Sequence, residues 1–156
     1  MIKSTWFAKI DSIITEWMSS NGYLLIRISV GVIFVWFGLL KFFPGLSPAQ
    51  ELATKTIKLL SFGLIPDFII IKGLAFWEVL IGIGLIFGKY IRGTLFLLFL
   101  QLTGTFAPLF FFPNDVFTHF PYALTLEGQY IIKNLVLVAA GIALGGKLNV
   151  NSTETK

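Results

Sequence analysis

Four long, mostly apolar stretches constrain this chain more than any other feature, because each is near the ~20 residues needed to cross a hydrocarbon core. They run from Gly22 to Phe43, Phe68 to Gly88, Gly93 to Phe112 and Gly128 to Gly146. A backbone in lipid must satisfy its own hydrogen bonds, so the pattern predicts an all-α fold, an integral membrane four-helix bundle. The composition agrees: 56% of the 156 residues are hydrophobic, 17 are Phe and only 13% are charged. The expected division is an interfacial amphipathic helix over residues 1–21, a four-span membrane domain over 22–148 and a polar tail over 149–156. No short cleavable segment precedes the first apolar run, so the first span is expected to persist in the mature protein.

The charged residues exclude several classes of function. There is no Cys, which removes thiolate ligands and dithiol redox chemistry, and the single His119 cannot build a metal site alone. The basic residues are scattered singly among apolar spans without a clustered face, so membrane lipid, not nucleic acid, is the expected partner. Orientation follows from the short connections. Lys89 and Arg92 sit between the second and third spans, whereas no Lys or Arg occurs from Gly93 through Ile132. This predicts a cytoplasmic second turn and, with four spans, cytoplasmic termini.

Two further segments read as helices that do not span. Trp6, Phe7, Ile10, Ile13, Ile14, Trp17 and Met18 recur on one helical face, with Lys9, Ser12 and Glu16 opposite. An interfacial helix is expected there, ending at Asn21-Gly22. Between spans one and two, Ser47-Pro48-Ala49-Gln50 reads as an N-cap, a first-turn proline and a capping-box glutamine. It opens a short extracytoplasmic helix that runs to about Phe62, before Gly63 and Pro66, and forms a strap outside the first two spans.

Inside the spans, the polar and small residues fall on seams. Arg27, Gly31, Phe34, Gly38 and Lys41 are spaced four, three, four and three apart, which places them on one side of the first helix. Ala75, Glu78, Gly82 and Leu85 form the matching seam of the second, with Gly84 and Gly88 as a small-residue contact. Gln101, Thr105 and Pro108 mark the third span, and Gln129, Lys133, Ala140, Gly141 and Gly145 the fourth. Glu78 is the most demanding of these, since a carboxylate deep in a span requires a partner or a proton. Counting ~1.5 Å per residue from each expected entry point puts Glu78 ~16 Å down and Arg27 ~8 Å up, with Lys41 ~3 Å from the outer end. Arg27 and Gln101 are therefore the expected partners of Glu78. Lys41, Lys72 and Lys133, with His119, Tyr122 and Glu127 beside the aromatic stretch Phe117 to Tyr122, are expected to line an outer vestibule.

Each candidate also has a plainer reading. Lys41, Lys72 and Lys133 snorkel to the headgroups in that view, and Glu78 with Arg27 is an ion pair that fixes helix register. Pro108 kinks the third helix, and His119 is a surface residue on a proline-flanked loop. No nucleophile, base and orienting group occur together at usable spacing, so no catalytic residue is assigned and an independent enzyme is not expected.

The run Arg27-Ile-Ser-Val-Gly31-Val-Ile-Phe34-Val-Trp36-Phe-Gly38-Leu-Leu-Lys41-Phe-Phe-Pro44 is followed by Trp77-Glu78-Val-Leu-Ile-Gly82-Ile-Gly84-Leu, then Phe120-Pro121-Tyr122 and Lys133-Asn134. In this order the elements resemble the DoxX-like superfamily of small four-helix membrane proteins. They are especially similar to the branch that includes an inner-membrane protein of reactive-chlorine resistance. The resemblance covers about residues 22 to 146. It implies a multi-pass protein of the bacterial inner (cytoplasmic) membrane, with Arg27, Lys41, Glu78 and Lys133 as the matching intramembrane charges. It also implies a role in redox or electrophile stress, with a quinone-like amphiphile as candidate ligand and a redox protein as candidate partner. No metal, haem, flavin or nucleotide motif accompanies these residues. Such fold-level kinship is analogy where activity is concerned. Three readings therefore stay open: a stress-response module binding an amphiphile at Arg27, Lys41, Glu78, Gln101 and Lys133; a small-molecule or anion transporter; and a noncatalytic scaffold or assembly factor. Exposed small-residue faces such as Gly141 to Gly145 leave a homo-oligomer open as well.

Overall fold

The computed structural model describes residues 5–43, 45–47 and 50–153. The helices are α1 (Thr5–Leu40), α2 (Gln50–Leu60), α3 (Asp67–Phe87), α4 (Ile91–Phe106), α5 (Pro108–Phe111), α6 (Pro113–Val116), α7 (Leu126–Lys133) and α8 (Leu135–Thr153). Four helical stretches are long and apolar enough to cross a membrane: Trp6–Leu40, Asp67–Phe87, Ile91–Phe111 and Leu126–Leu148. Each contains most of a predicted span. Pro108 divides α4 from α5 without ending the third stretch, because Ala107 keeps right-handed helical geometry. Asn134 separates α7 from α8 in the same way, with φ −66° and ψ −12°. The Ser47 turn precedes α2 as expected, although Pro48 and Ala49 lie outside the described residues. At its other end, Gly63 at φ +74° donates its N–H to the Lys58 carbonyl and stops the helix.

Three expectations need correction. The helix does not break at Asn21-Gly22; α1 is continuous for 36 residues, ~54 Å of helix. A glycine costs a helix only about 1 kcal/mol. Here Asn21 does not terminate the turn but donates its Nδ2 to the Trp17 carbonyl at 2.9 Å, and Ser20 donates to Glu16 in the same manner. Second, the fold is not wholly helical. Phe117–His119 (β1) and Ala123–Leu124 (β2) pair antiparallel as a small hairpin in the expected aromatic loop. Third, α8 carries on through the first part of the expected polar tail to Thr153; residues 1–4 and 154–156 lie outside the description.

The bundle is organised by the pairing of α1 with α3, its most extensive helix contact. A Cβ at Gly82 would stand 2.6 Å from the Gly31 carbonyl and 2.6 Å from the Val35 nitrogen, so the two backbones touch where glycines meet. Val30, Phe34, Ile81, Leu85, Leu95, Leu98, Leu102 and Leu144 fill the core among α1, α3, α4 and α8. A second cluster, Leu52, Val116 and Ile131, seats α2 against α6 and α7. Large apolar side chains also cover the outside: Phe76, Phe87, Phe96 and Val136 are each about two-thirds exposed or more. An outer surface of this kind suits a lipid solvent and is uncommon in a water-soluble monomer.

Candidate functional site

The α1–α3 crossing fixes which charges meet. The two helices are antiparallel, and a Cβ at Gly38 would fall 3.0 Å from Glu78 Cβ and 3.0 Å from the Val79 nitrogen. Gly38 is therefore level with Glu78. Lys41 lies one turn beyond Gly38, in the turn that ends α1, and its N–H bonds to the Gly38 carbonyl. Its side chain folds inward, and Nζ donates to Glu78 Oε2 at 2.6 Å. From α4, Gln101 Nε2 donates to Glu78 Oε1 at 3.0 Å. Only 11% of each side chain of the Lys41–Glu78 pair is exposed.

This arrangement corrects the expected partner of Glu78. Gln101 is where the sequence placed it, but Arg27 is not. Arg27 is eleven residues before Gly38, ~16 Å along the axis, and its guanidinium lies over Gly88 at the far end of α3. Depth counted from guessed span ends misjudged the pair because helix register is set by the glycine contacts. Lys41, expected near the surface, is the residue brought to the carboxylate.

Lys41, Glu78 and Gln101 line a cavity of about 650 Å³, within the range of small-molecule sites. Its walls come from α1, α3, α4, α7 and the start of α8, with α2 contributing as a strap. Phe34, Phe37, Ile69, Leu74, Leu100 and Leu137 make it predominantly apolar. Glu127, Tyr130 and Asn134, and Thr105 from α4, add polar groups to its lining. Two exposed ion pairs hold the strap: Lys58 Nζ to Asp67 Oδ1 at 2.8 Å, and Lys55 to Asp115.

The expected outer vestibule is only partly assembled. Glu127 lines the cavity, but Lys133 is exposed over the Tyr130 ring at 5.5 Å and its neighbour Asn134 faces the cavity instead. His119 and Tyr122 stack on each other in and beside the hairpin, centroids 6.3 Å apart, and both are exposed. Lys72 is exposed on α3. Sequence reasoning missed Asn134 and Tyr130. Both were visible as polar positions one residue after and three residues before Lys133, on the side of that helix that faces inward. Among the described residues no three His, Cys, Asp or Glu side chains stand together as a metal set.

The geometry allows a specific chemistry. Lys41 has three N–H donors and uses one on Glu78; Gln101 has two amide donors and uses one. Three donors remain on residues that line a predominantly apolar cavity, beside a carboxylate that retains lone pairs. No family model, no curated protein and no solved structure matches the chain.

Proposed function

We propose that this chain is a DoxX-like membrane module that binds a quinone-like amphiphile in the cavity under α2, serving redox or electrophile stress together with a redox partner protein. One observation carries the reading: Lys41 and Gln101, each with donors left over after bonding Glu78, line the same predominantly apolar cavity. A quinone offers carbonyl acceptors at its head and a hydrocarbon chain behind it, which matches that division. Glu78 serves as the hydrogen-bonding group that orients Lys41, and a redox partner supplies the electrons for any turnover. The orientation that accompanies this reading is a bacterial inner membrane with cytoplasmic termini, supported by Lys89 and Arg92 in the turn between α3 and α4.

The test is to extract the protein into lipid nanodiscs and identify retained small molecules by mass spectrometry, in wild type, Glu78→Gln and Gln101→Leu. The expected result is a quinone or related amphiphile in wild type, depleted in both variants while thermal unfolding shows each still folded. Bulk lipid alone in all three samples, with each folded, overturns the proposal and favours a scaffold.

A further inference from the structure

At the end of the bundle opposite the strap, cations gather that join none of the ion pairs among the described residues. Arg27 packs its guanidinium onto Gly88, the residue that closes α3 at φ +70°. A Cβ at Gly88 would collide with Arg27 Nη1 and stand 2.7 Å from Cζ, so the glycine makes the seat for this side chain. The Nε of Arg27 is buried with no hydrogen-bond partner. Arg27 Cζ lies 6.0 Å from the Tyr23 ring centroid, and Lys147 Nζ from α8 lies 5.2 Å from the same ring. Lys89 and Arg92 follow in the adjoining turn. Among the described residues none of these four cations makes an ion pair; all three ion pairs are at the strap end. Among the described residues the acidic ones of this end, Glu16 and Asp11, lie further down α1, Glu16 being seven residues or ~10 Å from Tyr23. The α3 C-terminus provides partial negative charge for Arg27, but only within its last turn. It does not account for Lys147, which comes from another helix to the same aromatic ring.

We infer that Arg27 and Lys147 form a site for a phosphoryl anion, with Tyr23 as its floor and Gly88 as the seat of the guanidinium. Arg offers a planar fork suited to phosphate oxygens and Lys adds a point charge. Two sources share that chemistry: the headgroup of an anionic lipid and free phosphate. The exposed Phe87 and Tyr90 beside the site give an acyl chain a surface to lie on. Both cations stand within about 6 Å of one ring centroid, and an anion that reaches both lowers the cost of gathering like charge there.

The full-length protein, delipidated in detergent, is titrated with phosphatidylglycerol or phosphatidylcholine and read by native mass spectrometry, with and without excess inorganic phosphate. Each basic residue near a lipid surface is worth about fivefold in affinity. The Lys147→Gln variant alters only an exposed side chain and is expected to bind phosphatidylglycerol about fivefold more weakly; Arg27→Gln with Lys147→Gln is expected to lose about 25-fold. Displacement of the lipid by inorganic phosphate identifies the phosphoryl group alone as what is read, and retention against phosphate identifies the lipid as the source. Wild-type affinity for phosphatidylglycerol in Lys147→Gln, with no phosphate binding by wild type, overturns the inference.

Discussion

The two ends of the bundle treat charge in opposite ways. At the strap end, Lys41 meets Glu78, Lys58 meets Asp67 and Lys55 meets Asp115, and the first of these pairs is nearly dry. At the other end Arg27, Lys89, Arg92 and Lys147 have no carboxylate within reach among the described residues. A buried pair neutralises itself and leaves a site suited to an uncharged amphiphile with acceptor oxygens. A group of cations leaves neutralisation to something outside the chain. The α1–α3 register produces both outcomes, since sliding α1 along α3 by about three turns would bring Arg27 level with Glu78 and leave Lys41 beyond it.

The largest effect is expected from breaking the dry pair on one side only. Lys41→Met leaves Glu78 with Gln101 as its remaining partner and should cost about 3–5 kcal/mol, as for other buried pairs that lose one member. Lys41→Met combined with Glu78→Gln should recover most of that loss, because no uncompensated charge remains. A double-mutant cycle on thermal or denaturant unfolding in detergent measures the coupling directly. Additive effects would show that the pair contributes no electrostatic stability and would erase the contrast between the two ends.

Register is the next way to test the comparison. At Gly82 the colliding atoms are backbone, so Gly82→Ala should cost about 2–3 kcal/mol. At Gly22, in the interior of α1, an added Cβ meets nothing within 4 Å, and Gly22→Ala should stabilise by about 0.5–1 kcal/mol. Equal responses at the two glycines, measured by unfolding midpoints, would mean that the α1–α3 crossing does not depend on close backbone approach.

These residues also show how far the sequence could be read. The seams of α1 and α3 were legible because they rest on helical period alone: Gly31, Gly38, Ala75, Glu78, Gly82 and Leu85 are all buried. The polar partner from α4 was legible too, since Gln101 stands alone in an apolar run. The choice between Arg27 and Lys41 was not, because it depends on how two helices align, and an estimate from span ends errs by more than one turn. The register that sets Gly31 against Gly82 brings Gly38 to Glu78 and so favours Lys41. The continuity of α1 through Gly22 was hidden by local propensity, whose cost of about 1 kcal/mol for a glycine is too small to end a long helix. The hairpin at Phe117–His119 is too short to leave a periodic signal.

Gly88→Ala is expected to have a smaller effect at the cationic end. The left-handed backbone there disfavours a side chain by about 1–2 kcal/mol, and the added carbon must also displace the guanidinium of Arg27. An asparagine tolerates the same backbone better, yet still fills the seat. Gly88→Asn should therefore unfold closer to wild type than Gly88→Ala while disturbing Arg27 at least as much. If the site described for phosphoryl anions is correct, phosphatidylglycerol binding falls in both variants, and it falls independently of their difference in stability.

The strap should respond least in stability and most in salt dependence. Lys55–Asp115 and Lys58–Asp67 are exposed, about half of each side chain facing outward, so each is worth at most about 1 kcal/mol. Asp67→Asn with Asp115→Asn should barely move the unfolding midpoint. It should, however, loosen α2 over the cavity, because those two pairs tie the helix to α3 and α6 from its exposed face, while Leu52 and its neighbours hold it from below. Ion pairs of this kind weaken over the range in which the screening length falls from about 10 Å to about 3 Å. Hydrogen exchange of the α2 amides should then rise with salt in wild type and be salt-independent in the double variant. Exchange that ignores salt in both would show that Leu52, Val116 and Ile131 alone keep the strap closed, and the strap end would owe its paired charges only to the buried Lys41 and Glu78.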